Sequence, residues 1–358
     1  MATFLTNDVA LYVSKTRESA FNTDETTGSN FLKVRTQQPG YVLPQVEFIN
    51  DAGIPGNGHE FATEWCATYI AHPAITFTDD INFGIAGRLA LRALGGDVTT
   101  AQVGSTTAYK HSCSMLPIAS GRQLPSSTIA ALLGGASFRM AGMVVDRYRI
   151  SQNRADRPQY SCDMVGSGDY TTPHGLTGLP SSVSTAACLN GNSTSVYWTD
   201  TDGTTTFSGS TCTLRSWFVE VANSLKLNDR CPGDTTKTIT YNSTTTNPAY
   251  AGKLLRGSRA VTAQIVILLD STIVPWERFV TGQELTDVTF KAQSGTEAGT
   301  GSKFTVNYII PKARISSIEP TDNDGDAALT INLTGMYDSV TGGALKCEVI
   351  NTETSAYV

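Results

Sequence analysis

The sequence predicts a mainly β fold, a β-sandwich or partial barrel, with one clear flanking α-helix and a second short one. Two observations carry this prediction. Apolar and polar residues alternate from Val261 towards Leu269, and similar runs follow, which is the period of a half-buried strand. The chain contains 32 glycines and only 16% charged residues. Threonine and serine fill much of the deficit, as is typical of β surfaces and their turns.

The C-terminal strands are interrupted by the second, short helix. A break at Ser271–Pro275 leads into a helical turn that we predict at Trp276–Gln283. The strands after this turn are predicted at Val288–Ala292, Phe304–Ile310, Leu329–Leu333 and Leu345–Val349.

The segment Asp322–Asp326 is rich in aspartate and resembles the start of a calcium-binding loop. Its glycine stands at the fourth position rather than the sixth, and Leu333 occupies the place of the bidentate glutamate. We therefore predict a tight acidic turn between two strands, with an adventitious cation as the alternative.

The clear helix is predicted at Thr78–Leu94. Thr78 is a suitable N-cap, and Asp79 and Asp80 would place negative charge at the positive end of the helix dipole. Gly95 and Gly96 supply a C-terminal stop. The apolar stripe of this helix consists of Ile81, Ile85, Leu89 and Ala93, joined by Ala86, Ala90 and Leu94.

The chain divides into an N-terminal arm with the first strands, residues 1–58, and a single β domain, residues 59–358. The arm is polar and weakly patterned, so it is either mobile or ordered against a neighbour. Within the domain, a long hairpin pairs Ala136–Ile150 with Gln159–Gly166. Two loop-rich insertions are predicted at residues 170–209 and 228–252, because both stretches are rich in turn-forming residues.

Charge and cysteine content exclude several classes of protein. The net charge is −6 without a basic cluster, which argues against tight DNA binding through phosphates. The seven cysteines are scattered, so we expect reduced thiols, with one disulfide among Cys188, Cys212 and Cys231 as the alternative. We find no signal-peptide pattern and no apolar run of the ~18 residues that a transmembrane helix needs. We therefore expect synthesis in the cytosol and no membrane span.

No motif for catalysis, metal binding or cofactor binding survives inspection. The sequence lacks G-x-S-x-G, Walker A and G-x-G-x-x-G patterns. A cluster of potential metal ligands matches no known spacing and is interpreted as scattered polar residues. Its members are His59, Glu60, Glu64, Cys66 and His72. We predict a protein that is not an enzyme, with no catalytic residues, no metal and no cofactor.

The order of these segments resembles the major tail tube proteins of long-tailed bacteriophages, of the non-contractile siphophage type. The resemblance rests on the order of several stretches, each of them a weak pattern. These stretches are Pro73–Thr100, with its strand and helix, Ala136–Gly168, with the long hairpin, Ser210–Asp229, Arg259–Ser271 and Phe304–Asn351.

The resemblance implies a tail-tube fold whose strands join a ring-wide β-barrel. Hexameric rings would stack into a tube that serves as the conduit for DNA ejection. The implied partners are further copies of the chain and the tape-measure, tail-tip and terminator proteins, while DNA passes without specific binding. The implied location is the virion tail, assembled in the cytoplasm of the host bacterium.

Under this interpretation the long hairpin supplies the candidate functional residues. Asp146, Asp156 and Asp163 are candidates for facing the lumen, with ordinary solvated carboxylates as the alternative. Asn153, Arg154 and Arg157 are candidates for ring stacking, with a plain surface loop as the alternative.

Two alternative functions remain at the level of sequence. One is the tube of a contractile tail or related injection machine, which shares the order of strands. The other is a β-sandwich binding module on the virion surface, which fits the Thr/Ser-rich loops. The absence of a signal-peptide pattern and the helix in mid-chain argue against the second alternative.

Overall fold

The structure is a computed structural model that describes residues 9–35, 40–50, 65–154, 156–183, 194–200, 205–209, 214–227, 233–269 and 279–354. Strands dominate it, as the sequence predicts. In the first half these are β1 Val9–Ser14, β2 Phe31–Val34, β3 Gly40–Val42, β4 Val46–Asn50, β5 Trp65–Ile70, β6 Ala74–Asp80, β7 Gly95–Gln102, β8 Tyr109–Met115, β9 Ser126–Leu133, β10 Ala136–Asn153, β11 Gln159–Val165 and β12 Tyr170–Thr171. In the second half they are β13 Thr194–Asp200, β14 Thr205–Gly209, β15 Leu214–Ala222, β16 Thr235–Thr236, β17 Ile239–Tyr241, β18 Thr244–Thr246, β19 Ala249–Tyr250, β20 Ala260–Leu268, β21 Leu285–Gly299, β22 Ser302–Asn323, β23 Asp326–Gly335 and β24 Lys346–Asn351.

The larger of two facing sheets, sheet I, is antiparallel. Its strand order is β3–β6–β11–β10–β15–β20–β23–β22. The predicted long hairpin forms its centre, with Ser151 opposite Gln159 and Val144 opposite Val165. The alternating residues of β20 lie between β15 and β23, which confirms the first strand predicted from the sequence.

Sheet II has the strand order β14–β13–β21–β22–β24–β8–β7. The 22-residue strand β22 belongs to both sheets. Its residues 302–313 pair with β21, and its residues 313–323 pair with β23. Strand β10 similarly leaves sheet I to pair with β9, which pairs in turn with β1 and, through it, with β2. Traced through the described residues, the pairings branch and do not return to their starting strand.

The two sheets enclose a shared apolar core. Trp217 of sheet I packs against Phe290 of sheet II, with ring centroids 5.5 Å apart. Tyr148 and Tyr308 meet in the same way, with their hydroxyl oxygens 3.2 Å apart. Because both pairs are almost completely buried, this contact between the sheets confirms a sandwich.

The helix α1, Ile85–Leu94, is shorter than predicted, and the prediction of its start is wrong. Thr78, Asp79 and Asp80 extend strand β6 and pair with β11. The predicted C-terminus is confirmed, since Gly95 adopts a left-handed conformation with φ of 78° and its N–H bonds to Leu91 O. Every residue of α1 is buried, so the helix is an internal element rather than a cover on an outer face.

One other prediction needs correction. The stretch predicted as an insertion at residues 170–209 contains β13, which pairs with β21 along its length, so this part is integral to sheet II.

In the region 228–252 the described residues form only short strands, β16 to β19. Of the predicted second helix, Trp276–Gln283, residues 276–278 lie outside the described residues, and residues 279–281 are helical.

The cysteines that can be judged are reduced. Cys113, Cys162 and Cys347 are free and buried. Burial raises the pKa of the Cys113 thiol to about 11, which keeps it protonated and unreactive. Cys188, Cys212 and Cys231, the residues of the alternative disulfide, lie outside the described residues.

Candidate assembly surfaces

Sheet I has one face in the core and one face open to water, which we call the open face. Along β11 and β15 the side chains alternate between buried and partly exposed without a break from Gln159 to Val165 and from Ser216 to Ala222. The open face is formed by side chains from at least six strands. They include Thr76, Arg147, Arg149, Ser161, Asp163, Ser216, Phe218, Glu220, Thr262, Gln264, Ser317, Thr330 and Asn332.

Polar side chains join neighbouring strands across the open face. Thr76 donates to Asp163 Oδ1 at 2.9 Å, and Arg147 Nε donates to Asp163 Oδ2 at 2.8 Å. The bond to Asp163 raises the pKa of Arg147. Three strands further on, Gln264 donates to Asn332, whose amide donates to Ser317 at 2.8 Å. These cross-strand pairs stabilise a water-facing surface without apolar contacts.

The charged side chains in the middle of the open face form pairs of opposite charge, so this region is close to neutral. The Arg149 guanidinium lies 4.0 Å above the centre of the Phe218 ring and 3.9 Å from a Glu220 carboxylate oxygen. Asp163 has Arg147 as its partner. The carboxylates in the middle of this face therefore each face an arginine.

One end of sheet I, which we call the tip end, is formed by the β10–β11 connection and the β22–β23 turn. The turn confirms the prediction for Asp322–Asp326, since Asp324 and Gly325 have φ of 57° and 86° and Asn323 pairs with Asp326. Arg154 forms an ion pair with Asp324, and Arg215 forms another with Asp326. The tips of the two hairpins are therefore tied together.

A shallow groove of about 540 Å³ opens on the open face beside the tip end. It is lined mainly by charged and polar side chains, among them Asp80, Arg149, Asp156, Arg157 and Gln264. Arg157 lies 3.4 Å from an Asp80 carboxylate oxygen, which also receives Arg35. These lining side chains provide ion pairs and hydrogen bonds and do not include a nucleophile beside a base.

The structure separates the three carboxylates predicted to face a lumen. Asp163 lies on the open face and Asp156 is exposed at the tip end. Asp146 lies at a β-bulge in the middle of β10, where its carboxylate accepts the Leu225 N–H at 2.8 Å. Their orientation towards a lumen stays a prediction.

The three residues predicted for ring stacking all lie at the tip end. Asn153 accepts the Asp156 N–H at 3.0 Å through its backbone oxygen, and its side chain is exposed. Sequence reasoning missed that Arg154 contacts the acidic turn, although opposite charges at two hairpin tips were visible. It also missed Arg215, which has no local partner in sequence. The role of these residues in stacking stays a prediction.

Within the described residues, sheet I ends in strands with unpaired edges. Beyond residue 313, the partner that the described residues provide for β22 is β23, which leaves the other edge of residues 314–323 open. Pro320 lies in this stretch, as expected for an edge strand, because proline lacks a ladder donor. At the other side of the sheet, β3 covers β6 from Ala74 to Thr76.

Other kinds of site find little support in the described part of the chain. There, no three His, Cys, Asp or Glu side chains are grouped so that they could hold a metal ion. His59, Glu60 and Glu64 lie outside the described residues. None of the helices in the described ranges has the length and apolar character needed to cross a membrane.

No protein-family model and no curated protein sequence matches the chain. The chain is similar to the SPP1 tail tube, known from solid-state NMR and cryo EM, with a TM-score of 0.24, 13% identity, and coverage of 46% of this chain and 80% of that one. It is also similar to a doubly substituted Hcp1 protein from E. coli EAEC 042 pathovar, with a TM-score of 0.23, 16% identity, and coverage of 46% of this chain and 98% of that one. TM-scores this low do not establish a common fold.

Proposed function

We propose that the chain is a structural subunit, not an enzyme, and that copies of it assemble into rings that stack as a tube. The observation that carries this proposal is the contrast between the two faces of sheet I. One face of the sheet is buried and packs on sheet II. The other face is exposed to water and polar, and hydrogen bonds between side chains link its neighbouring strands. Such a sheet suits the wall of a water-filled channel.

The unpaired edges of sheet I support assembly through strand pairing. Open backbone donors and acceptors are a liability in a monomer, and closure of strands into a ring removes them. In the proposed ring, residues 314–319 of β22 would pair with the β3–β6 side of the neighbouring copy. Pro320 would limit the length of this pairing, since it supplies no N–H.

The finer assignment follows the resemblance seen in the sequence. We infer hexameric rings of the non-contractile, siphophage type in a virion tail, assembled in the host cytoplasm. A tape-measure protein, tail-tip proteins and a terminator would be the further partners. The paired charges of the open face favour passage of DNA during ejection, because a near-neutral polar wall offers no excess positive charge to hold phosphates.

Negative-stain microscopy of the purified chain tests this proposal. We expect rings with a central hole at moderate concentration, and tubes of stacked rings as concentration rises. A protein that sediments as a monomer at every concentration tested, without rings on the grid, would overturn the proposal.

A further inference from the structure

The end of sheet I opposite the tip end, which we call the base end, carries a cluster of basic residues. Three short segments lie side by side there, immediately after β15, before β20 and after β8. The Lys226 N–H bonds to Leu255 O at 2.9 Å, and the Arg256 N–H bonds to Arg122 O at 3.0 Å. This arrangement brings Arg122, Lys226, Lys253 and Arg256 together at one end of the molecule.

Within the described residues, the positive charge of the base end is only partly compensated. Arg122, Lys226 and Lys253 are exposed. Arg256 is buried, donates to Leu116 O at 3.1 Å, and leaves its Nε without a partner. Burial and then the charge of Arg122 lower the pKa of Arg256.

Carboxylates also lie beside the base end. Asp169 forms an ion pair with Lys237 at 2.5 Å. Asp146 and Asp234 accept backbone N–H groups, those of Leu225 and Gly252. A carboxylate that accepts an N–H keeps its charge, so Asp146 and Asp234 offset two of the four positive charges of the cluster, and two positive charges remain in excess.

The tip end presents the opposite charge. The Asp324 and Asp326 side chains are 70% and 60% exposed even though Arg154 and Arg215 reach them. Asp322 is also exposed, and its carboxylate accepts the Gly325 N–H within the turn. The β22–β23 hairpin extends two residue pairs and the Asp324–Gly325 turn beyond the level of Leu268 and Ala328, so its carboxylates are among the outermost groups at this end.

The two charged ends cannot satisfy each other within one chain. They are separated by at least the length of β15, whose nine residues span about 26 Å at ~3.3 Å for each of eight steps. Interactions between exposed charges are largely screened beyond about 8 Å at physiological ionic strength. Only a second molecule aligned along the strand direction brings an acidic tip end against a basic base end.

We propose that successive copies stack head to tail through this contact, with the Asp322–Asp326 turn of one copy seated on the Arg122, Lys226, Lys253 and Arg256 cluster of the next. The occupant of each surface is thus a second copy of this chain. The inference rests on the proposed function and adds to it the polarity and the surfaces of stacking.

Charge reversal at the base end tests the contact. We expect Lys226→Glu with Lys253→Glu to form rings of normal size and to lose tubes by at least about tenfold at physiological salt, since like charges would then meet across the contact. The matched control is Lys291→Glu with Lys303→Glu, which makes the same change in charge on sheet II and should leave tube formation unchanged. Tube length is measured by negative-stain microscopy and ring size by sedimentation.

A complementary variant tests whether misfolding, rather than charge, explains a loss of tubes in the base-end variant. Asp322→Lys with Asp326→Lys reverses the tip end and leaves the ion pair of Arg154 with Asp324 in place. We expect it to lose tubes alone and to recover them when mixed with the base-end variant, because each reversed tip then meets a reversed base. Wild-type tubes should also shorten towards about 1 M salt, where the screening length is about 3 Å.

The outcomes separate this inference from the proposed function. Suppose that the wild type forms rings and tubes. If the base-end variant then forms as many tubes, or if mixing the two variants restores none, the stacking contact alone is overturned. A wild type that forms neither rings nor tubes would overturn the proposed function and this inference with it.

Discussion

At the scale of single residues, two tyrosine hydroxyls link three layers of the molecule. Tyr148 on sheet I donates to Ala86 O of α1 at 2.9 Å. Since that bond uses its only proton, Tyr308 on sheet II must donate to Tyr148 across the 3.2 Å separation. Both side chains are buried, so the Tyr308 hydroxyl relies on Tyr148 and on the Cys347 side chain for its hydrogen bonds.

This chain of bonds predicts unequal costs for two similar substitutions. Tyr148→Phe removes the oxygen that accepts the Tyr308 proton, leaves this buried hydroxyl with the weakly accepting Cys347 sulfur, and should lower the free energy of unfolding by about 2–3 kcal/mol. Tyr308→Phe removes only a donor and should cost about 1 kcal/mol. Urea denaturation of both variants measures the difference. Equal costs, or a larger cost for Tyr308→Phe, would contradict the assignment of donors.

At the scale of elements, the sequence was sufficient where patterning is local. The alternation in β20, the turn at Asp322–Asp326 and the end of α1 at Gly95 follow from neighbouring residues alone. The start of α1 was not predictable in this way. Asp79 and Asp80 lie in a strand and bind Arg35, a partner more than forty residues away, and such a contact leaves no mark in the local sequence.

Strands β7 and β9 were missed for opposite reasons. Strand β9 is buried on both faces from Ser126 to Ala131, so no alternation marks it. Strand β7 is polar and largely exposed from Asp97 onwards, so it has too few apolar residues to be recognised. The sequence predicts the candidate surfaces only in part, because the ion pairs between the two hairpin tips join residues that are far apart in the sequence.

The loop at residues 336–343 allows a prediction about pH. The Thr341 N–H and then its hydroxyl lower the pKa of the Asp338 carboxyl below the ordinary value of 3.8. A folded-state pKa that is lowered stabilises the loop above the ordinary value, and the stabilisation is lost as pH falls through the lower folded value. We expect the loop to gain amide exchange in that acidic range.

Hydrogen exchange followed by mass spectrometry on peptides covering the loop measures this change, after correction for the intrinsic rate. Asp338→Asn keeps a side-chain acceptor for Thr341 without titrating in the acidic range, so its exchange should lack the step. A step whose midpoint lies above pH 3.8, or an equal step in the control, would contradict the role given to Asp338.

At the scale of the whole molecule, the features that carry the proposed function all belong to sheet I. Its inner face meets sheet II through Trp217 and Tyr148, and its open face is polar. The edge of β22 is unpaired beyond residue 313 within the described part of the chain. The two ends of the sheet differ in charge. A closed, stacked assembly satisfies the edge and both ends at once, which a monomer cannot do.

The orientation of the open face in the assembled protein tests this account most directly. A cryo-EM reconstruction of the tubes should show a central channel lined by the open face, with Arg147, Asp163 and Gln264 towards the lumen and sheet II outside. A reconstruction in which the open face lies on the outer surface, or in which sheet II lines the channel, would contradict the central claim.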